Sequence, residues 1–91
     1  MLNAFPLPLI SEVIERVAAW HGITTEEILG RDKHNRQASH ELMWVLRRRG
    51  LSYPRIGNVT NRDHSTCFQA IKKLEADPVA LERVERMEQR A

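Results

Sequence analysis

Asn61-Arg62-Asp63-His64-Ser65-Thr66-Cys67-Phe68-Gln69-Ala70-Ile71-Lys72-Lys73-Leu74 is the stretch that decides how this 91-residue chain is read. It opens with a polar turn. Asp63 is a natural N-cap, because a carboxylate accepts hydrogen bonds from the unpaired amides of a helix's first turn. At about 100° per residue, Cys67, Ala70, Ile71 and Leu74 gather on one side, and Ser65, Gln69 and Lys72 on the other. The spacing predicts a helix with one side to bury and one polar, cationic side suited to a nucleic-acid groove. Just upstream, Ser52-Tyr53-Pro54-Arg55-Ile56-Gly57-Asn58-Val59 reads as a short helix. Ser52 is its cap, and Pro54 falls in the first turn, where a missing amide costs little. A short helix, a tight polar turn and a second helix with a polar outer face make a helix-turn-helix pattern.

Further out, Leu9, Ile10, Val13, Ile14 and Val17 recur at helical spacing and predict a first amphipathic helix that ends near His21-Gly22. Thr24-Thr25-Glu26-Glu27 matches a capping box and predicts a second, very short helix. Gly30 to Arg36 reads as a polar, mostly basic loop. Ala38, Leu42, Val45 and Leu46 then form the buried stripe of a third helix, which Met43 and Trp44 widen and Gly50 closes. Asp77-Pro78 caps a last helix from Val79 to about Arg90, with Leu81, Val84 and Met87 apolar and Glu82 paired to Arg86. The expectation is an all-α small helical domain of about six helices. An N-terminal arm covers residues 1–7, the helix-turn-helix unit 8–75, and a C-terminal helix packs on or extends that unit over 76–91.

Ninety-one residues support one small core. Charged residues are 29% and apolar residues 42%, with no long apolar run, so neither a membrane span nor a disordered chain is expected. The single cysteine, Cys67, excludes an intramolecular disulfide framework. The apolar start lacks a basic n-region and is broken by Pro6 and Pro8, which makes a poor signal peptide and a cytoplasmic, nucleoid-associated location the expectation. Net charge is only +2, but its distribution is uneven. Residues 1–28 carry −3, residues 29–73 carry +7 and residues 74–91 carry −2. Positive charge is thus concentrated around the helix-turn-helix, as a phosphate-binding surface requires.

The run SYPRIGNVTNRDHSTCFQAIKKLE resembles the signature of the C-terminal DNA-binding domain of the bacterial replication initiator DnaA. There, a Ser-x-Pro-x-Ile-Gly helix precedes Arg-Asp-His-Thr/Ser-Thr, which stands here as Arg62 to Thr66. The resemblance implies a Trp-repressor-like helix-turn-helix that binds double-stranded DNA sequence-specifically. Its second helix would lie in the major groove and its basic loop in the adjacent minor groove. Asp63, His64, Ser65 and Thr66 take the positions of the base-reading and backbone-contacting set. Ala70, one turn on, is placed to lie against a thymine methyl, and Gln69 and Lys72 share the outer face. Tyr53 and Pro54 correspond to positions that touch the DNA backbone or a methyl. In the basic loop the resemblance makes Arg36 the minor-groove arginine, and Arg31 and Lys33 phosphate contacts.

Several residues carry a second reading. Asp63 serves as an N-cap whether or not it touches DNA. Arg62 is better suited to phosphate than to a base, since phosphates take most protein–DNA hydrogen bonds. Arg47 and Arg48, with Arg49, either complement a helix dipole or contact phosphate. The sequence also departs from the family. The turn before Arg62 is about one residue shorter, with Thr60-Asn61 where Gly-Gly is common, and Asn tolerates the left-handed conformation this turn needs. Ser39-His40 stands where an Arg-Gln pair is common.

The expected role is occupation of DnaA-box-like sites, regulating replication initiation or transcription. The open alternatives are a transcription regulator reading an unrelated operator, and a protein-interaction module that has kept the fold without DNA binding. No catalytic constellation, G-x-x-x-x-G-K-[ST] loop or zinc-ligand spacing is present in the sequence, so no enzyme activity, ATPase, cofactor, metal or small-molecule substrate is expected. The last helix is narrow and heavily charged. It serves as a packing helix or, alternatively, as a homodimer or protein-partner contact.

Overall fold

A computed structural model of the chain describes residues 7–90. The arm expected over residues 1–7 lies, except for Leu7, outside the described residues. Among the described residues every regular element is helical: α1 Leu7–Trp20, α2 Thr25–Leu29, a 3₁₀ turn Lys33–Asn35, α3 Arg36–Arg48, α4 Tyr53–Thr60, α5 His64–Glu75 and α6 Pro78–Gln89. None of these helices is long and apolar enough to cross a membrane.

The caps fall where the chemistry of the sequence puts them. Thr24 and Glu27 form the reciprocal capping box of α2: the Glu27 amide donates to Thr24 Oγ1 at 3.0 Å, and the Thr24 amide donates to the Glu27 carboxylate at 2.9 Å. Ser52 caps α4, Asp63 caps α5 and Asp77 caps α6, each accepting from a first-turn amide. The third helix stops at Arg48 because Gly50 turns to φ +100°, which lets the Leu51 amide reach back to the Leu46 carbonyl at 3.2 Å.

The start of α3 differs from the expected loop. Asp32 accepts from the His34 amide at 2.9 Å and folds the basic segment into the 3₁₀ turn. Helical backbone therefore begins at Arg36, which is the first residue of α3 rather than the end of a loop.

One core holds the helices together. Val17, Ile28, Leu42, Val45, Leu46, Ile56, Cys67 and Val84 are all fully buried, and Met43 and Trp44 lie in the same core. Burying each aliphatic side chain of this size is worth about 1.5–3 kcal/mol. The last helix joins through Ala80, Val84 and Met87, with Leu81 partly buried against them. Glu88 on α6 pairs with Arg16 of α1 and with Arg49 at 3.0 Å, and Arg90 lies 5.4 Å from the centre of the Trp20 ring. These contacts fasten the outer end of α6 to α1 and to the end of α3.

The core also holds an acid that the apolar pattern does not announce. Glu41 is fully buried on α3. His21 Nε2 donates to it at 2.7 Å, Gln37 Nε2 at 3.0 Å, and the Arg83 guanidinium lies 3.5 Å away. Burial alone would raise its pKa, but the hydrogen bonds from His21 and Gln37 and the charges around it hold the carboxyl below its ordinary value.

Candidate nucleic-acid interface

The two helices of the motif cross where a glycine allows it. A Cβ on Gly57 would stand 2.5 Å from the Arg62 carbonyl oxygen, so only glycine lets α4 approach the turn this closely. Asn61 adopts the left-handed conformation, φ 58° and ψ 47°, and closes the short turn. Below it, Thr60 Oγ1 donates to the Ile56 carbonyl at 2.8 Å and lies 3.8 Å from Cys67 Sγ. Burial pushes the Cys67 thiol up, so the residue behaves as a small core hydrophobe.

This packing leaves the first turns of α5 exposed. Asp63 accepts from the Ser65 amide at 2.9 Å, and His64, Ser65, Thr66, Gln69 and Lys72 are all exposed. Unpaired first-turn amides and the positive end of the helix dipole favour an anion at the same place. Ala70, by contrast, is 4% exposed and contributes chiefly to the floor between α3 and α5. Pro54 is exposed in the first turn of α4.

Beside α5 runs an open cleft of about 660 Å³ lined by Arg36, His40, Thr66, Gln69, Lys72 and Lys73. Two smaller recesses adjoin it, and Arg36 and His40 line all three. Burial first, and then the charges of Lys73, Arg36 and Arg62, hold His40 below the usual imidazole value. His40 and Lys73 were not among the site residues singled out from the sequence. His40 shares α3 with Arg36, one turn away, but only the packing of α3 against α5 brings Lys73 to them, so no linear motif carries the whole signal.

The basic residues sort into two groups. Lys33, Arg36, Lys72 and Lys73 are exposed along one side. Arg62 is instead partly buried: its guanidinium donates to the Thr60 carbonyl at 2.8 Å and to the Gly30 carbonyl, and burial, followed by the nearby Arg31, lowers its pKa. Arg31 donates to the Asn61 carbonyl at 2.9 Å. The arginine triplet splits three ways. Arg47 donates to the Leu51 carbonyl at 3.1 Å and lies 4.3 Å from the centre of the Tyr53 ring, Arg48 lies over Trp44 beside α6, and Arg49 pairs with Glu88. Tyr53 in turn meets Phe68 edge-to-face at 5.3 Å, and Lys72 lies 5.5 Å from the Phe68 ring, so a cation flanks each ring of the pair.

The bacterial dnaA protein helix-turn-helix family matches residues 10–74, which takes in α1 to α5 and both helices of the motif. The chain belongs to this DnaA helix-turn-helix family. Among its relatives, the chromosomal replication initiator protein DnaA 2 of Chlamydia caviae is 39% identical over 70 residues, covering 70% of this chain and 15% of the relative. The chromosomal replication initiator proteins DnaA 1 of Chlamydia pneumoniae and of Chlamydia trachomatis are 37% and 34% identical over 67 and 74 residues, covering 70% and 74% of this chain. The chain spans only about 15% of the length of these DnaA relatives. No solved structure matches it significantly. Within the DnaA helix-turn-helix, α4 is the supporting helix and α5 the second helix of the motif, and α6 lies beyond the matched residues.

Proposed function

We propose that the chain binds double-stranded DNA sequence-specifically at DnaA-box-like sites and thereby regulates replication initiation or transcription. The observation that carries this reading is the exposed, capped start of α5, with His64, Ser65, Thr66 and Gln69 outward, flanked in a DnaA-type fold by the cleft that Arg36, Lys72 and Lys73 line. In this reading α5 enters the major groove. Asp63, His64, Ser65 and Thr66 meet base edges and backbone from its first turn, and Gln69 follows one turn on. Ala70 closes the floor against a thymine methyl. Tyr53 and Pro54 meet the backbone, and Arg31, Lys33 and Arg36 approach the phosphates and minor groove next to the cleft. Arg31, Arg47 and Arg62 also brace the motif, since their guanidinium groups each serve a backbone carbonyl.

Selection of bound duplexes from a random-sequence pool tests the reading. Enrichment of DnaA-box-like sequences supports it. Enrichment of an unrelated sequence makes the chain an operator-reading regulator, and no enrichment with no salt-dependent affinity makes it an interaction module.

A further inference from the structure

The cleft between α3 and α5 has a feature that a general basic surface does not need. Ser39 is 2% exposed, and its Oγ has no hydrogen-bond partner among the described residues. Such a buried hydroxyl costs free energy unless something completes it. It lines the recess that also holds Arg36, His40 and Thr66. Arg36 and His40 stand one turn apart on α3, and Lys73 faces them across the cleft from α5. A guanidinium, an imidazole and an ammonium thus line one cleft between the start of α3 and the last turn of α5, and the Ser39 hydroxyl lines the recess beside it, which shares Arg36 and His40.

We propose that Arg36, His40 and Lys73 form the seat of one phosphate group, with the Ser39 hydroxyl in the adjoining recess, and that His40 takes up a proton from solvent when the phosphate enters. The proposal rests on the DNA-binding reading and deepens it. It assigns one backbone contact, and its pH dependence, to the Ser39-His40 pair that departs from the family pattern.

The charges around His40 set the sign. Arg36 on its own helix, Lys72 and Lys73 on α5, and Arg62 in the turn face it as cations. Arg31, Asp32, Lys33 and His34 approach from the basic segment, and Asp77 from the start of α6. With cations in excess, His40 stays neutral in the free protein at neutral pH. An entering phosphate reverses the local charge and favours the imidazolium. The pKa of His40 is therefore low in the free protein and higher in the complex. Affinity is greatest at low pH and falls as pH rises between those two values, by up to about tenfold per pH unit for one linked proton.

The test is duplex affinity from pH 5.5 to 8, with calorimetry in two buffers of different ionisation enthalpy, on the wild-type chain, His40→Gln, His40→Arg and His64→Gln. Wild type should take up a proton on binding and lose affinity as pH rises. His40→Gln and His40→Arg should both flatten that slope, and His40→Arg, which keeps the charge, separates loss of the proton from loss of the fold. A slope that survives both His40 variants, or vanishes only in His64→Gln, overturns the proposal. Titration of the His40 ring by NMR with inorganic phosphate, and separately with duplex, distinguishes the sources. A rise in its pKa with duplex alone assigns the seat to the DNA backbone, and a rise with both makes it a general phosphate seat. No rise with either overturns it. If no duplex binds at any pH, the DNA-binding reading fails with it; duplex binding without a His40-dependent slope removes only the phosphate seat.

Discussion

The guanidinium of Arg62 reaches the carbonyl of Gly30, 32 residues earlier in the chain, and ties the end of α2 to the turn of the helix-turn-helix. The same side chain donates to the Thr60 carbonyl. One arginine therefore fixes the position of the basic segment relative to α5. Replacing it with alanine leaves two carbonyls without their charged donor and should cost about 1–3 kcal/mol of stability. Chemical denaturation of Arg62→Ala measures this. An Arg62→Ala protein of unchanged stability but weaker DNA affinity would show that the residue serves phosphate rather than the fold.

Gly57 is the second structural constraint on the position of α5. With the Arg62 carbonyl oxygen only 2.5 Å from a would-be Cβ, Gly57→Ala must push the turn away from α4. The expected loss is about 1–3 kcal/mol in stability, typical of overpacking, together with lower discrimination between duplexes because α5 is displaced. Thermal melting of Gly57→Ala alongside Asn58→Ala, at the exposed neighbour, checks it; equal melting temperatures would mean the turn yields without cost.

Glu41 makes stability depend on pH at the acid end. Its pKa is lowered in the fold, so its contribution is fully present above the unfolded value of 4.5 and is lost as pH falls through the lower folded value. Unfolding free energy measured from pH 6 to pH 3 should fall more steeply for wild type than for Glu41→Gln. Parallel curves would show that Glu41 titrates alike in the folded and unfolded chain.

The exposed residues of α5 should divide by role. His64→Ala and Ser65→Ala should each narrow the preference for the cognate duplex, by about 1–3 kcal/mol where a base contact is lost. Lys72→Ala should weaken cognate and scrambled duplexes alike and reduce the salt slope by about one. The reverse pattern would place the reading surface elsewhere on the domain.

Much of this architecture is legible in the sequence because it is local. Asp63, Ser52 and Asp77 cap their helices through amides two or three residues away, and Asn61 closes its turn with its own backbone angles. The helical stripes follow from spacing alone. What escapes is long-range. Glu41 looks like a surface residue until His21, 20 positions earlier, and Arg83 meet it in the core. Arg47, Arg48 and Arg49 read as one positive patch, yet successive residues of a helix point about 100° apart, and each finds a different partner. The same holds for the cleft: Arg36 and His40 share a helix, but the partners that give them meaning, Thr66 and Lys73, come from α5.

The central claim is that α5 reads a specific duplex, and the most direct test is titration of the chain with a DnaA-box duplex and with its scrambled counterpart at two salt concentrations. Affinity for both should fall as salt rises, since phosphate contacts release counterions, while the DnaA-box duplex stays tighter by roughly 10³-fold or more. Equal, weak binding to the two duplexes at both salt concentrations would contradict it.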